Sequence, residues 1–173
     1  MGALHSWVQT YRDEGLTPMP LQRGSKVCNI KDWTHRKDFS FPVGSNLAIR
    51  CGDDDFLAID ADDPVAVMAT RAYLKGLGLP IVGSKTQDGS HYYLRSEVPE
   101  GFHSAALKGL AGELRGPHSY VVATPSVIGD WRYTLFGSLD EIPTVEWSDV
   151  SPLVDWQVAR PTEVERYNPL PNL

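Results

Sequence analysis

The sequence predicts an α+β fold built on a mostly antiparallel sheet. Three observations carry this. Two segments repeat their apolar residues at helical spacing, six or seven short segments have the length and composition of strands, and turn-forming Gly, Pro, Asp and Ser break the chain between them. With 173 residues, 42% of them hydrophobic, and five Trp, seven Tyr and five Phe, the chain can bury one full-sized core but not two. The expected division is one domain over residues 1–150 and a tail or linker over 151–173, where Pro161, Pro169 and Pro171 stand among charged residues.

In chain order, Leu4, Trp7, Val8 and Tyr11 recur at helical spacing, and Gly15 is placed to end that helix in a left-handed conformation. Leu16 to Leu21 reads as a short strand. Gln22 to Ser45 is polar and aperiodic, which predicts a long ordered loop anchored by Trp33. Asn46 to Cys51 and Phe56 to Asp60 are apolar runs separated by the polar turn Gly52 to Asp55, and together predict a hairpin. Asp63 as N-cap and Pro64 at the first helical position then start a second helix. Its expected apolar face is Val65, Met68, Ala69, Ala72 and Tyr73, ahead of Gly76 and Gly78. Ile81 to Thr86, His91 to Arg95, Gly112 to Arg115, Tyr120 to Thr124 and Trp131 to Leu135 complete the strands.

A net charge of −6 argues against a protein that grips nucleic acid through an overall basic surface, without excluding a nucleic-acid enzyme. Much of the acidity sits in Asp53, Asp54, Asp55, Asp60, Asp62 and Asp63, a cluster that repels itself unless cations or solvent screen it. No segment approaches the roughly 18 apolar residues that a membrane span requires, and the first 16 residues lack the pattern of a signal peptide, so an intracellular protein is expected. Cys28 and Cys51 are too few for a disulfide scaffold or a four-thiolate zinc site, and two free thiols are expected.

The most informative segment is Phe56-Leu-Ala-Ile-Asp60-Ala-Asp62, an apolar strand ending in two carboxylates two residues apart and therefore on one face. Carboxylates held that close repel, which points to a cation between them, Mg²⁺ or Mn²⁺ with oxygen ligands. By the same repulsion, replacing either acid with Asn should leave metal-free stability level or raise it. The alternative is structural, a strand end leading into a helix cap. A calcium loop of EF-hand type lacks its glycine and its distant bidentate Glu. Downstream, the turn Ser84 to Gly89 delivers Ser90 and His91 to the start of a strand. Turn N–H groups, a hydroxyl and an imidazole suit triphosphate oxygens, with Lys85 or Arg95 adding charge; the plain alternative is a surface turn with a half-buried histidine. Glu113 and Arg115 share one face of another strand, which alone reads as a solvated face.

The order and spacing of these segments resemble the bifunctional primase-polymerase family within the archaeo-eukaryotic primase superfamily. The resemblance covers about residues 3–136. It rests on Lys26 and Trp33, Asn46 to Gly52, Asp60 and Asp62, Gly89 to His91, Glu113 to Gly116, and Pro125-Ser126. It implies a catalytic sheet of RNA-recognition-motif type with an N-terminal α/β unit beside it. It also implies Asp60, Asp62 and Glu113 as ligands of a two-metal Mg²⁺ or Mn²⁺ site, and His91 with Ser90 as contacts to the incoming triphosphate; His91 is expected to join the three acids as a catalytic residue, and Lys85 and Arg115 to join the nucleotide contacts. Two departures stand out: Glu113 where the family commonly has Asp, and Asp88-Gly89-Ser90 where a Gly-Gly pair is common.

The activity implied is template-dependent joining of nucleoside triphosphates, as a DNA primase, a DNA polymerase or both. Its partners would be single-stranded or primed DNA and nucleoside triphosphates, with no membrane. The setting would be cytoplasmic, in a prokaryotic, plasmid or phage context, with a helicase region in a longer parent protein. Two readings from other classes compete. One is a non-catalytic nucleotide- or strand-binding module of the same fold, and the other is a metal-dependent nuclease using the same acids.

Overall fold

The structure, a computed structural model, describes residues 2–157. Helix α1 (Ala3–Asp13) buries Val8 and Tyr11 and ends where Gly15 takes φ +75°, as the sequence predicts. The Tyr11 hydroxyl donates to the Thr124 carbonyl at 2.6 Å, tying this helix to the far end of the chain. Strands β1 (Pro18–Leu21), β2 (Asn46–Arg50) and β8 (Tyr120–Ala123) form a three-stranded sheet in the order β1-β2-β8.

The second sheet holds six strands: β3 (Phe56–Ala61), β4 (Gly83–Lys85), β5 (Ser90–Arg95), β6 (Ser104–Ala106), β7 (Gly112–Arg115) and β11 (Thr134–Phe136). Their order is β11-β4-β5-β3-β7-β6, and every strand pairing is antiparallel. A small hairpin of β9 (Val127–Ile128) and β10 (Trp131–Arg132) stands apart. The α+β, mostly antiparallel class expected from sequence is the class observed.

The expected hairpin of Asn46–Cys51 with Phe56–Asp60 does not form. β2 lies between β1 and β8, and β3 lies between β5 and β7 in the other sheet. Every residue of β2 is buried, and β3 is buried from Phe56 to Ile59. Unbroken apolar runs of this kind mark strands covered on both faces, and each run sits in the interior of its own sheet. The intervening turn passes the chain from sheet to sheet. Two of its three acids are paired locally: Arg50 with Asp53 at 2.8 Å and Arg95 with Asp54 at 2.7 Å.

The two faces of the large sheet have different partners. Leu57, Ile59, Ala61, Tyr92, Leu94 and Leu114 pack against helix α2 (Pro64–Gly76) and short helix α3 (Trp147–Val150), while Phe56, Ala58 and Tyr93 pack against Leu47, Ile49, Val121 and α1. Along α2 the expected apolar face is rotated. Ala66, Thr70 and Leu74 are buried, whereas Val65 and Met68 are exposed at 67% and 72%. Apolar residues surround this helix on several sides, so spacing alone fitted two stripes. The cap occurs as expected, with the Asp63 carboxylate accepting from the Ala66 N–H at 2.8 Å.

The loop over residues 22–45 covers the outer face of the small sheet. Trp33 anchors it edge-on to Tyr120, with ring centroids 5.1 Å apart, and Arg50 donates to the carbonyls of Trp33 and Arg36. Residues 151–157, the start of the expected tail, pack on the domain. Val154 bridges to Leu107, and Trp156 stands 5.3 Å from Phe102. The rest of that expected tail lies outside the described residues. Among the described residues no helix is long and apolar enough to cross a membrane, and Cys28 and Cys51 are free thiols.

Candidate active site

Strand β3 carries one face from the core into the site. Phe56 and Ala58 are buried beneath the small sheet, and the next residues on that face are Asp60 and, just past the strand end, Asp62. Register sets Asp60 opposite His91 on one side and opposite Glu113 on the other, and sets Ser84 opposite His91. Residues directly opposite in neighbouring strands share a face with side chains about 5 Å apart. Sheet pairing alone therefore lines up His91, Asp60 and Glu113 in a row.

Two glycines allow the neighbouring strands to close on this row. A Cβ at Gly89 would lie 1.8 Å from the Ala61 carbonyl oxygen, and one at Gly112, where φ is +137°, would lie 2.0 Å from that of Asp60. Only glycine fits both positions. Gly112→Ala is expected to destabilise the fold by about 1–3 kcal/mol, since β7 has to move off β3. The change would be read as a lower urea midpoint with an unchanged slope.

The carboxylates at the centre are unlike one another. Burial opposes ionisation of Asp60, but its hydrogen bond to His91, the charges of His91 and Arg115, and a hydrogen bond from Asp62 together bring it down to about 2. Asp62 is raised above the ordinary carboxylate range, first by burial and then by the charge of Asp60 and the shared hydrogen bond. The two neighbouring carboxyls are thus pushed in opposite directions. His91 Nε2 lies 3.3 Å from Asp60 Oδ1, and Arg115 reaches both Asp60 (Nε to Oδ2, 3.3 Å) and Glu113 (2.9 Å).

A cavity of about 400 Å³ opens over this row, lined by Asp60, His91 and Arg115 and by Lys26, Trp33, Tyr120 and Tyr133. An adjoining one of about 240 Å³ runs past Asp60, Asp62 and the turn Thr86 to Asp88, with Lys26, Trp131 and Tyr133 on its other side. Aromatic walls beside a cationic and acidic floor suit a nucleotide, with its flat base and its polyanionic end.

Two residues expected at the nucleotide line neither of these cavities. Ser90 pairs with Ala61, so alternation turns it to the α2 face. Lys85 pairs with Ser90 and shares that face, and its ammonium stands 6.0 Å over the Trp131 ring. A Ser-His neighbour pair within a strand cannot point both side chains one way. The cation that lines both cavities is Lys26, held by the Tyr120 hydroxyl donating to its carbonyl at 2.8 Å. Sequence reading had placed Lys26 in the pattern without a role, because nothing in a loop's composition shows where it folds back. Arg95, the other cation considered, binds Asp54 and the Glu14 carbonyl away from the site.

Among the described residues no three His, Cys, Asp or Glu side chains are gathered as a preformed metal site. Glu113 is turned to Arg115. The donor chemistry nonetheless suits a hard divalent cation: Asp60 and Asp62 both line the smaller cavity, and Glu113 stands opposite Asp60 across the ladder. The cap of the following helix is made by Asp63, and neither Asp60 nor Asp62 takes part in it.

The family model described as bifunctional DNA primase/polymerase, N-terminal, matches residues 9–147, most of the chain and all of the row just described. No curated protein matches the chain.

Proposed function

Because the chain belongs to the bifunctional DNA primase/polymerase family, we propose that it is a template-dependent nucleotidyltransferase that joins nucleoside triphosphates on single-stranded or primed DNA. The observation that carries this reading is the row His91–Asp60–Glu113 set by strand pairing, with Asp60 and His91 lining both a cavity walled by Trp33, Tyr120 and Tyr133 and the adjoining one that reaches Asp62. Asp60, Asp62 and Glu113 would hold divalent cations, Mg²⁺ or Mn²⁺. Bound there, such ions supply charge neutralisation for the triphosphate and activation of the attacking 3′-hydroxyl.

The chain's own groups position and neutralise. Lys26 and Arg115 offer permanent positive charge to phosphate oxygens, and the guanidinium adds a two-pronged donor. The aromatic wall takes the base and excludes water from one side of the reacting centre. His91 stands next to Asp60, at the join of the two cavities. Nothing in this set fixes a base identity, which suits an enzyme whose template does the selecting.

The test is incorporation of labelled ribo- or deoxyribonucleotides on a template, with and without primer. Activity is expected in Mg²⁺ or Mn²⁺ and its complete loss in excess EDTA. Full activity under chelation would sink the metal reading, and cleavage without incorporation would indicate the nuclease alternative. A Cys28→Ser, Cys51→Ser double variant is expected to keep its activity, since Cys51 is buried with its thiol pushed up to about 12 and takes no part in the row.

A further inference from the structure

We propose that Arg115 is a built-in counter-cation of the acidic row, which a divalent ion must displace before Glu113 can join Asp60 and Asp62. The inference rests on the reading of these acids as metal ligands. Asp60 and Glu113 are directly opposed on neighbouring strands, a placement that is destabilising for like charges. One guanidinium answers both, through Nε at 3.3 Å to Asp60 and a terminal nitrogen at 2.9 Å to Glu113. The strand on the other side offers no alternative, since Ala106 stands opposite Glu113 and Ser104 opposite Arg115.

Arginine stays charged at every pH of interest, so its charge cannot be titrated away. It has to move. The side chain is 34% exposed and lines the 400 Å³ cavity, so a guanidinium released from the acids stays within the space that would take a triphosphate. Two consequences follow. A divalent ion alone binds more weakly than three free carboxylates would allow, and nucleotide favours metal binding beyond direct contact by accepting the displaced guanidinium.

The test measures Mn²⁺ affinity without nucleotide, from the electron-spin resonance of free Mn²⁺, for the parent protein and for Arg115→Gln, Arg115→Lys, Lys26→Gln and Asp60→Asn. Arg115→Gln is expected to bind Mn²⁺ about three- to tenfold more tightly, the range for losing a partly exposed competing ion pair. Arg115→Lys keeps the charge but cannot fork to both acids, so a smaller tightening is expected; it carries the test if the Gln variant does not fold. Lys26 shares the cavity without pairing to either acid, and Lys26→Gln is expected to change Mn²⁺ affinity less than Arg115→Gln does. Unchanged or weaker binding in the Arg115 variants would overturn the proposal, as would a Lys26→Gln effect of equal size, which would reveal only a general field. Asp60→Asn separates the two levels. If it binds Mn²⁺ as well as the parent does, or if the parent itself binds none, the metal assignment itself falls and the Arg115 role with it.

Discussion

Asp60→Asn is expected to lower nucleotide incorporation by several orders of magnitude while the protein remains folded. The substitution keeps shape and removes one charge from the centre of the row, where a ligand of the reaction-bearing cations would be lost. The structure divides the stability expectation that repulsion had suggested for both acids. Asp60 is paired on both sides, with His91 and with Arg115, and its carboxyl is held down to about 2. Its folded value lies below the unfolded one, so its ionised form stabilises the protein fully above about pH 4, and that contribution is lost as pH falls through about 2.

At neutral pH, Asp60→Asn should therefore cost about 1–2 kcal/mol. Asp62 is shifted the other way, its ionised form being the disfavoured one, and Asp62→Asn should leave stability level or raise it. Mn²⁺ should raise the melting temperature of the parent protein and barely move that of either variant, because a ligand stabilises only the state that holds its site. Melting curves and primer extension on both variants, each with and without Mn²⁺, decide the matter. An Asp60→Asn protein that is destabilised yet fully active would end the catalytic assignment.

What could be read in the sequence was what local pattern determines. Alternation along Phe56 to Asp62 put the two acids on one face, and Asp63-Pro64 announced the helix that follows. What escaped depends on which strand pairs with which. The hairpin expectation failed because β2 and β3 are neighbours in sequence but interior strands of different sheets. Ser90 was grouped with His91 because they are adjacent in the chain, yet adjacency in a strand is what separates them. Lys26 and Tyr133 reach the cavity from a loop and from between two short strands, positions that no periodicity marks. The Glu at position 113 reads differently once Arg115 is seen beside it: the carboxylate reaches along β7 to the guanidinium that also contacts Asp60.

His91→Ala is expected to weaken nucleoside triphosphate binding by roughly 1.5–3 kcal/mol, about ten- to a hundredfold or more, while template binding changes little. The ring is 5% exposed and sits in the row, its centroid 6.2 Å from that of Tyr133. Nε2 faces Asp60, and Nδ1 is buried without a hydrogen-bond partner. A buried, unpaired ring nitrogen is costly in a purely structural histidine, which would be expected to satisfy both nitrogens. Its placement is understandable if the imidazole is kept free to change partners when charge arrives at Asp60. His91→Ala also removes the hydrogen bond and charge that most favour ionised Asp60, so its carboxyl should move up toward the ordinary range. Labelled-nucleotide titration without template, set beside titration with single-stranded DNA, measures the two affinities separately. A selective loss for nucleotide assigns the histidine to the triphosphate, and an equal loss for both would show that it serves only to hold the sheet together.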